Sequence, residues 1–203
     1  MENLEVVHHE TGEPTGVALP RAEAIAAGAW CRSTNVYVMN PRGEILCHRR
    51  AAEKERLPGV WSTHLGGHVA AGETYESNAL KELEEEAGVA VAVWQLLPWR
   101  TTRIIGARLW TREFVALLDR PDTDFVPQPG EVDAFEWLSL KEILKRSNRE
   151  PQKWCAGTHD FLVEYQCMRA ALAVGHAFGA LETLHGLGSW GPGLAAPVGS
   201  LGA

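Results

Sequence analysis

Four glutamates at fixed distances, bracketed by glycines, constrain this chain more than any other feature. They lie in the 23 residues from Gly67 to Val89, GHVAAGETYESNALKELEEEAGV. Glu82, Glu85 and Glu86 are spaced i, i+3, i+4, so a helix through them carries all three on one face. Glu73 precedes them. Glu73, Glu76, Glu82, Glu84, Glu85 and Glu86 against Lys81 give the segment a net charge of −5, out of −7 for the whole chain. Like charges crowded on one face destabilise a helix. A divalent cation turns that cost into a binding site, because hard cations take carboxylate oxygens. A solvated acidic face is the plain alternative, and the glutamates alone would favour it.

The spacing predicts a helix starting near Thr74, with Thr74 and Ser77 as possible caps and Gly88 as the terminating glycine. Tyr75, Ala79, Leu83 and Ala87 recur every four residues, and Leu80 widens this stripe, which belongs to a core. Around the helix, residues 3–19 read as a hairpin turning at Thr-Gly-Glu-Pro, and Arg21 to Ala27 as a short helix. Asn35–Met39 and Glu44–His48 flank Asn-Pro-Arg-Gly, a hairpin signal. Trp61–Leu65, Val89–Val93, Leu109–Leu118 and Val132–Leu138 read as strands. Arg100–Arg108 and the proline-containing Asp119–Gly130 read as loops. Ser139 caps a helix from Leu140 to about Lys145, and Phe161–Ala177 forms a last helix. The Gly/Ala/Pro-rich end from Gly186 reads as a flexible tail. Strands surround the helices without a clean βαβ alternation, which favours an α/β fold with a mixed sheet and helices on both faces.

At 203 residues one domain is expected. Residues 1–30 supply a hairpin and short helix to it, 31–177 its body, and 186–203 the tail. The negative charge argues against a nucleic-acid polymer as partner. No run of eighteen or more apolar residues predicts a membrane span, and the N-terminus lacks a signal-peptide pattern. Cys31, Cys47, Cys155 and Cys167 are scattered without CxxC spacing. Reduced thiols and a cytoplasmic location are expected.

The segment fits the pattern G-x5-E-x7-R-E-U-x-E-E-x-G-U, with U apolar, at every fixed position except Lys81, where the pattern has arginine. With glycine and glutamate each near roughly 7% of residues, a chance match in a chain this long is on the order of one in a million. The segment resembles the Nudix box, and the chain resembles the Nudix hydrolase superfamily. Residues 3–90 follow the layout of the subgroup similar to isopentenyl-diphosphate isomerase: Pro14-Thr15-Gly16, Arg21, Gly28-Ala29-Trp30, Arg49-Arg50, Pro58-Gly59-Val60-Trp61 and Gly66-Gly67-His68-Val69. Pro127, Glu131, Trp137 and Leu140 look like the closing strand and helix.

The resemblance implies a Nudix-like α/β/α sandwich and a small-molecule diphosphate substrate. It implies Glu82, Glu85, Glu86 and the Gly67 carbonyl as ligands of Mg²⁺ or Mn²⁺. It makes Glu73 and residue 81 the pair that holds the helix in position. The reaction implied is attack of water on a phosphorus of a diphosphate linked to another group. The charges agree with this. Bare glutamates repel a diphosphate, whereas bound Mg²⁺ inverts the sign and lowers the pKa of a bound water. Glu85 or Glu86 is the expected base. Arg49 or Arg50 could clamp phosphate, or both could be a solvent-facing pair after an edge strand. His68 stands where the isomerase has a metal-ligating histidine; a structural or substrate-contacting role fits it equally. His64 flanks the same glycines, Glu131 could add a ligand or base, and Trp61 or Trp110 could stack on a ligand.

Two substitutions stand out. Arginine at position 81 could bond two glutamates at once through its planar fork, and lysine is a single point charge. The isomerase has a cysteine just before the Gly-His, and this chain has Gly66. Hydrolysis is therefore expected ahead of two alternatives, an isomerase and a catalytically silent binding module. Substrate identity and oligomeric state, including a homodimer, are left open by the sequence.

Overall fold

The structure, a computed structural model, describes residues 2–158, 161–163 and 165–166. Two compact units divide at residue 159, Met1–His159 and Asp160–Ala203. In the second, the described residues 161–163 and 165–166 are helical. The rest of the helix expected over Phe161–Ala177, and the tail from Gly186, lie outside the described residues.

The first unit opens with a two-stranded hairpin, β1 (Asn3–Val7) and β2 (Pro14–Pro20), followed by α1 (Arg21–Ala26). Trp110 lies against the turn of this hairpin, where its indole N–H donates to the His9 carbonyl, so its face is used inside the protein. The main sheet has six strands: β3 (Cys31–Met39), β4 (Ile45–Arg50), β5 (Trp61–Ser62), β6 (Leu96–Ile104), β7 (Leu109–Leu117) and β8 (Val132–Leu138). The order is β5-β4-β3-β7-β6, with β8 on β4. β3 and β7 run parallel over nine residues, and every other pairing between these six strands is antiparallel, so the sheet is mixed as expected.

The hairpin expected between β3 and β4 is paired at one position only, Met39 with Ile45. Beyond it the strands part, and the segment from Trp61 to Val69 fills the gap. Trp61 and Ser62 pair with β4, while Leu65 and His68 bridge to Val36 and Ser33 of β3. The five-residue strand expected at Trp61–Leu65 is thus divided between two neighbours. Two further expectations are corrected. Val89–Val93 forms no strand, and a 3-10 turn at Val93–Gln95 leads instead into β6. Residues 100–104, expected in a loop, belong to β6, because Arg100 to Ile104 align with Glu113 to Leu109 of β7. The charges at Arg100 and Arg103 masked a strand whose apolar residues are few. α3 (Leu140–Arg149) starts at its Ser139 cap and runs four residues past the expected end. Arg146, in the added turn, binds Glu136 of β8 with both terminal guanidinium nitrogens at 2.8 Å.

The acidic segment forms α2 (Tyr75–Ala87). Thr74 is its N-cap, accepting from the Ser77 N–H at 3.0 Å, and Ser77 Oγ returns a bond to the Thr74 N–H at 3.0 Å. Both residues thus serve one reciprocal cap. Gly88 ends the helix in the left-handed conformation at φ +66°, as a C-cap glycine does. Ala79, Leu83 and Ala87 are buried, with Tyr75 and Leu80 at the edge, against Val36 and Val38 of β3, Leu46 of β4 and Phe114 and Ala116 of β7. This packing turns the opposite stripe of α2, with its glutamates, toward Gly66 and Gly67.

Replacing Thr74 by Ala removes the side-chain half of this cap. We expect a loss of about 1 kcal/mol, read as a fall in Tm of about 2–4 °C. An unchanged Tm would mean that tertiary packing alone fixes the helix start.

Candidate active site

The site is built around a glycine corner. Gly67 O accepts the Thr34 N–H of β3 at 2.9 Å, Leu65 and Val36 exchange both backbone bonds, and Val69 N donates to Arg32 O. The corner therefore lies flat on β3. Gly66 adopts φ +147°, and a Cβ there would sit 2.0 Å from Thr34 O, so backbone meets backbone and only glycine fits. At Gly67 a Cβ would sit 2.5 Å from Glu82 Oε1, so the Glu82 carboxylate occupies the space a side chain would take. The Gly66 N–H donates to Glu86 Oε2 at 3.1 Å. One corner thus receives two carboxylates from successive turns of α2.

Glu82 and Glu86 are held in unlike ways from Glu73. Lys81 Nζ donates to both Glu73 oxygens, at 3.0 and 3.1 Å, and the Ala70 N–H adds a third bond at 3.1 Å. Burial pushes the Glu73 carboxyl up, but these bonds outweigh it and hold its pKa below the usual carboxylate range. Lys81 is then committed, and neither Glu82 nor Glu86 has an ion-pair partner among the described residues. Burial, with Glu85 adding repulsion against the relief from Lys81 and Asn78, pushes Glu82 up to about 7. Burial, then repulsion from Glu82 and Glu131 against relief from the Gly66 N–H and Arg50, pushes Glu86 up to about 8. Two adjacent carboxylates that resist ionisation lack positive charge. Glu85 is exposed on the same stripe.

This donor set suits a hard divalent cation. Among the described residues no three His, Cys, Asp or Glu side chains are gathered closely enough to ligate an ion by themselves. Mg²⁺ needs no such cage, since it keeps several waters and takes one or two carboxylates together with substrate phosphates. The Gly67 carbonyl retains a second lone pair beside its bond to Thr34.

The other expected residues divide. Arg50 acts electrostatically on Glu86 and on His64, and its Nε is buried without a partner. Arg49, one residue back and so on the other face of β4, lies 3.6 Å from Asp133. His64 is driven down to about 4 by burial and by Arg50, so it is neutral, and it stands edge-on to Tyr37 at 5.5 Å between ring centroids. His68 is half-buried on the side of Arg21 and Glu2, its pKa lowered by burial and then by Arg21. Glu131 is ion-paired with Lys54, and Trp61 stacks on Trp154 at 6.2 Å. Sequence reading missed Asn78. It is fully buried and contacts Thr34, His68, Glu73 and Glu82. Its signal was available as an asparagine four residues before Glu82 on the acidic line of a helix, at a position where propensity disfavours it.

The NUDIX domain family matches residues 30–156 of this chain. An uncharacterized Nudix hydrolase of Pseudomonas aeruginosa is 39% identical over 112 residues, which make up 55% of this chain and 66% of that relative. An isopentenyl-diphosphate Delta-isomerase of Pectobacterium atrosepticum is 32% identical over 153 residues, 74% of this chain and 84% of that relative. The crystal structure of DR0079 from Deinococcus radiodurans has the same fold, with a TM-score of 0.67 at 22% identity, over 80% of this chain and 98% of that one. The chain belongs to the Nudix family, whose hydrolase class acts on pyrophosphate bonds. Among the described residues no helix is long and apolar enough to cross a membrane.

The raised Glu82 and Glu86 set a pH dependence. A carboxyl whose pKa is higher folded than unfolded contributes stability below its unfolded value, near 4.5, and loses it as pH rises through its folded value. Metal-free protein should therefore lose thermal stability between about pH 5 and pH 8. Added Mg²⁺, which binds the ionised forms, should raise Tm by several degrees at pH 8 and by little at pH 5. Calorimetric scans at the two pH values check this, and an equal shift at both would contradict it.

Proposed function

We propose that the chain hydrolyses a diphosphate bond in a nucleoside diphosphate derivative or another small organic diphosphate, with Mg²⁺ or Mn²⁺ as cofactor. The observation that carries this reading is the pair of half-buried Glu82 and buried Glu86, brought to one glycine corner with no cationic side chain ion-paired to either among the described residues. Glu82, Glu85, Glu86 and the Gly67 carbonyl would hold the metal. When bound, the cation supplies charge neutralisation for the phosphates and a bound water of lowered pKa.

The chain's own residues do the rest. Glu85, the exposed carboxylate of the stripe, is placed to accept the proton of the attacking water. Glu86, tied to the Gly66 N–H, serves better as a fixed ligand than as a mobile base. Arg50, which acts on Glu86 and donates to the Arg56 carbonyl at 3.2 Å, is the phosphate contact rather than Arg49, which faces Asp133 at 3.6 Å. Glu73 and Lys81 brace the helix. His68 is a neutral substrate contact at the edge of the corner. Three free cysteines among the described residues support a reducing, cytoplasmic setting.

The relative named as an isomerase supports a second reading. Its chemistry resembles proton transfer at carbon and uses a cysteine at the position of Gly66. Here a Cβ at that position would collide with Thr34 O, so the acid is absent and the backbone leaves it no space. Gly66→Cys should lower Tm without creating isomerase activity. Deuterium exchange into isopentenyl diphosphate by the wild-type protein would reverse the order of the two readings.

A panel of diphosphate compounds with Mg²⁺, followed by mass spectrometry, tests the proposal. Phosphate or monophosphate release is expected, and Glu85→Gln should reduce kcat by about 10²–10⁴. Ligand binding without turnover, unaffected by Glu85→Gln, would leave a silent binding module instead.

A further inference from the structure

Lys81 poses a problem of connection. Its ammonium is a point charge that donates to the two oxygens of Glu73 and reaches Glu82 only electrostatically. Glu82, the next residue of the metal-facing stripe, receives no bond from it. Lys81 attracts Glu82 while Glu85 and Glu86 repel it, so a directed bond from Glu82 to the braced Glu73 and to the sheet has to come from another side chain.

Asn78 makes that connection. It lies one turn before Glu82 on α2 and is completely buried. Its Oδ1 accepts from the Thr34 hydroxyl at 2.5 Å, which anchors it to β3. Its Nδ2 faces three acceptors: the His68 carbonyl at 3.0 Å, Glu73 Oε2 at 3.4 Å and Glu82 Oε1 at 3.4 Å. Three acceptors can only be met by the donor end, so the amide orientation is fixed by its surroundings. One N–H goes to the corner backbone, and the other is shared between the two carboxylates.

We propose that Asn78 is a positioning residue that compensates for lysine at position 81. It acts through Glu82: its amide joins Glu73 and Glu82, the connection an arginine fork at 81 would make, and fixes both to Thr34 beneath Gly67. The pair Asn78 and Lys81 forms one functional unit, in which Asn78 can be changed safely only where position 81 carries arginine. This rests on the metal-dependent hydrolase reading for its consequence, but its core is a statement about carboxylate placement, which metal affinity reads without turnover.

A double-mutant cycle tests it: wild type, Asn78→Ala, Lys81→Arg, and the double variant. Mg²⁺ affinity is measured by calorimetry on each, and kcat and KM on any substrate found. Alanine favours the helix, and Thr34→Val added to Asn78→Ala removes the hydroxyl left without a partner, which keeps the variant folded. Asn78→Ala should weaken Mg²⁺ binding and lower kcat about tenfold, with KM moving less. In the Lys81→Arg background the same change should cost less than about threefold. Asn78→Asp, equal in size but acceptor-only, should be worse than Asn78→Ala, whereas a residue that merely fills space would tolerate it. Equal losses from Asn78→Ala in both backgrounds, or no loss in either, would overturn the proposal. If wild-type protein binds Mg²⁺ but turns over nothing, the hydrolase reading fails, while the coupling in metal affinity still decides the role of Asn78.

Discussion

The lie of Gly66 and Gly67 on β3 is the constraint on which the rest of the site depends. Thr34 contributes three groups to it. Its N–H holds the Gly67 carbonyl, its own carbonyl excludes any side chain at Gly66, and its hydroxyl anchors Asn78. The corner then presents one N–H to Glu86 and an open Cα to Glu82. Glu82 could not approach as it does if Gly67 carried a side chain. The sheet reaches this state because β3 and β4 separate after a single paired position and admit the segment from Trp61 to Val69 between them.

The electrostatics follow from that packing. α2 buries an apolar stripe of small residues, Ala79 and Ala87 among them, so it sits close to the sheet and draws its acidic stripe into partial burial. The charge is then distributed unequally. Glu73 is satisfied by Lys81 and backbone, and Glu82 and Glu86 are not. A cation at the corner would relieve both repulsion and desolvation, and would in turn make the corner attractive to phosphate. Arg50 adds positive charge from β4 on the Glu86 side. Folding and chemistry are therefore coupled through the same few side chains, and a change at Thr34 or Gly66 would be felt in the charge state of Glu86.

Much of this was legible in the sequence, and the reasons differ by element. The limits of α2 were readable because Thr74, Ser77 and Gly88 are local signals that act within one turn. The mixed sheet followed from the irregular order of strands and helices. β6 was not readable, since an edge strand carrying Arg100 and Arg103 and interrupted by Pro98 has no apolar alternation. The two-part role of Trp61–Val69 was also hidden, because it depends on how far β3 and β4 diverge. At the site, residue types named the acidic set, but only the three-dimensional arrangement separates Arg50 from Arg49 and gives Asn78 its four partners.

The central claim is that Glu82 and Glu86 are kept short of charge by burial and completed by a cation. Proton release on metal binding measures this directly. Titrating Mg²⁺ into the protein at pH 7 in buffers of different ionisation enthalpy should show release of about one proton per site, since carboxyls held near 7 and 8 are substantially protonated there. Binding with no proton release, or no binding at all, would contradict the account.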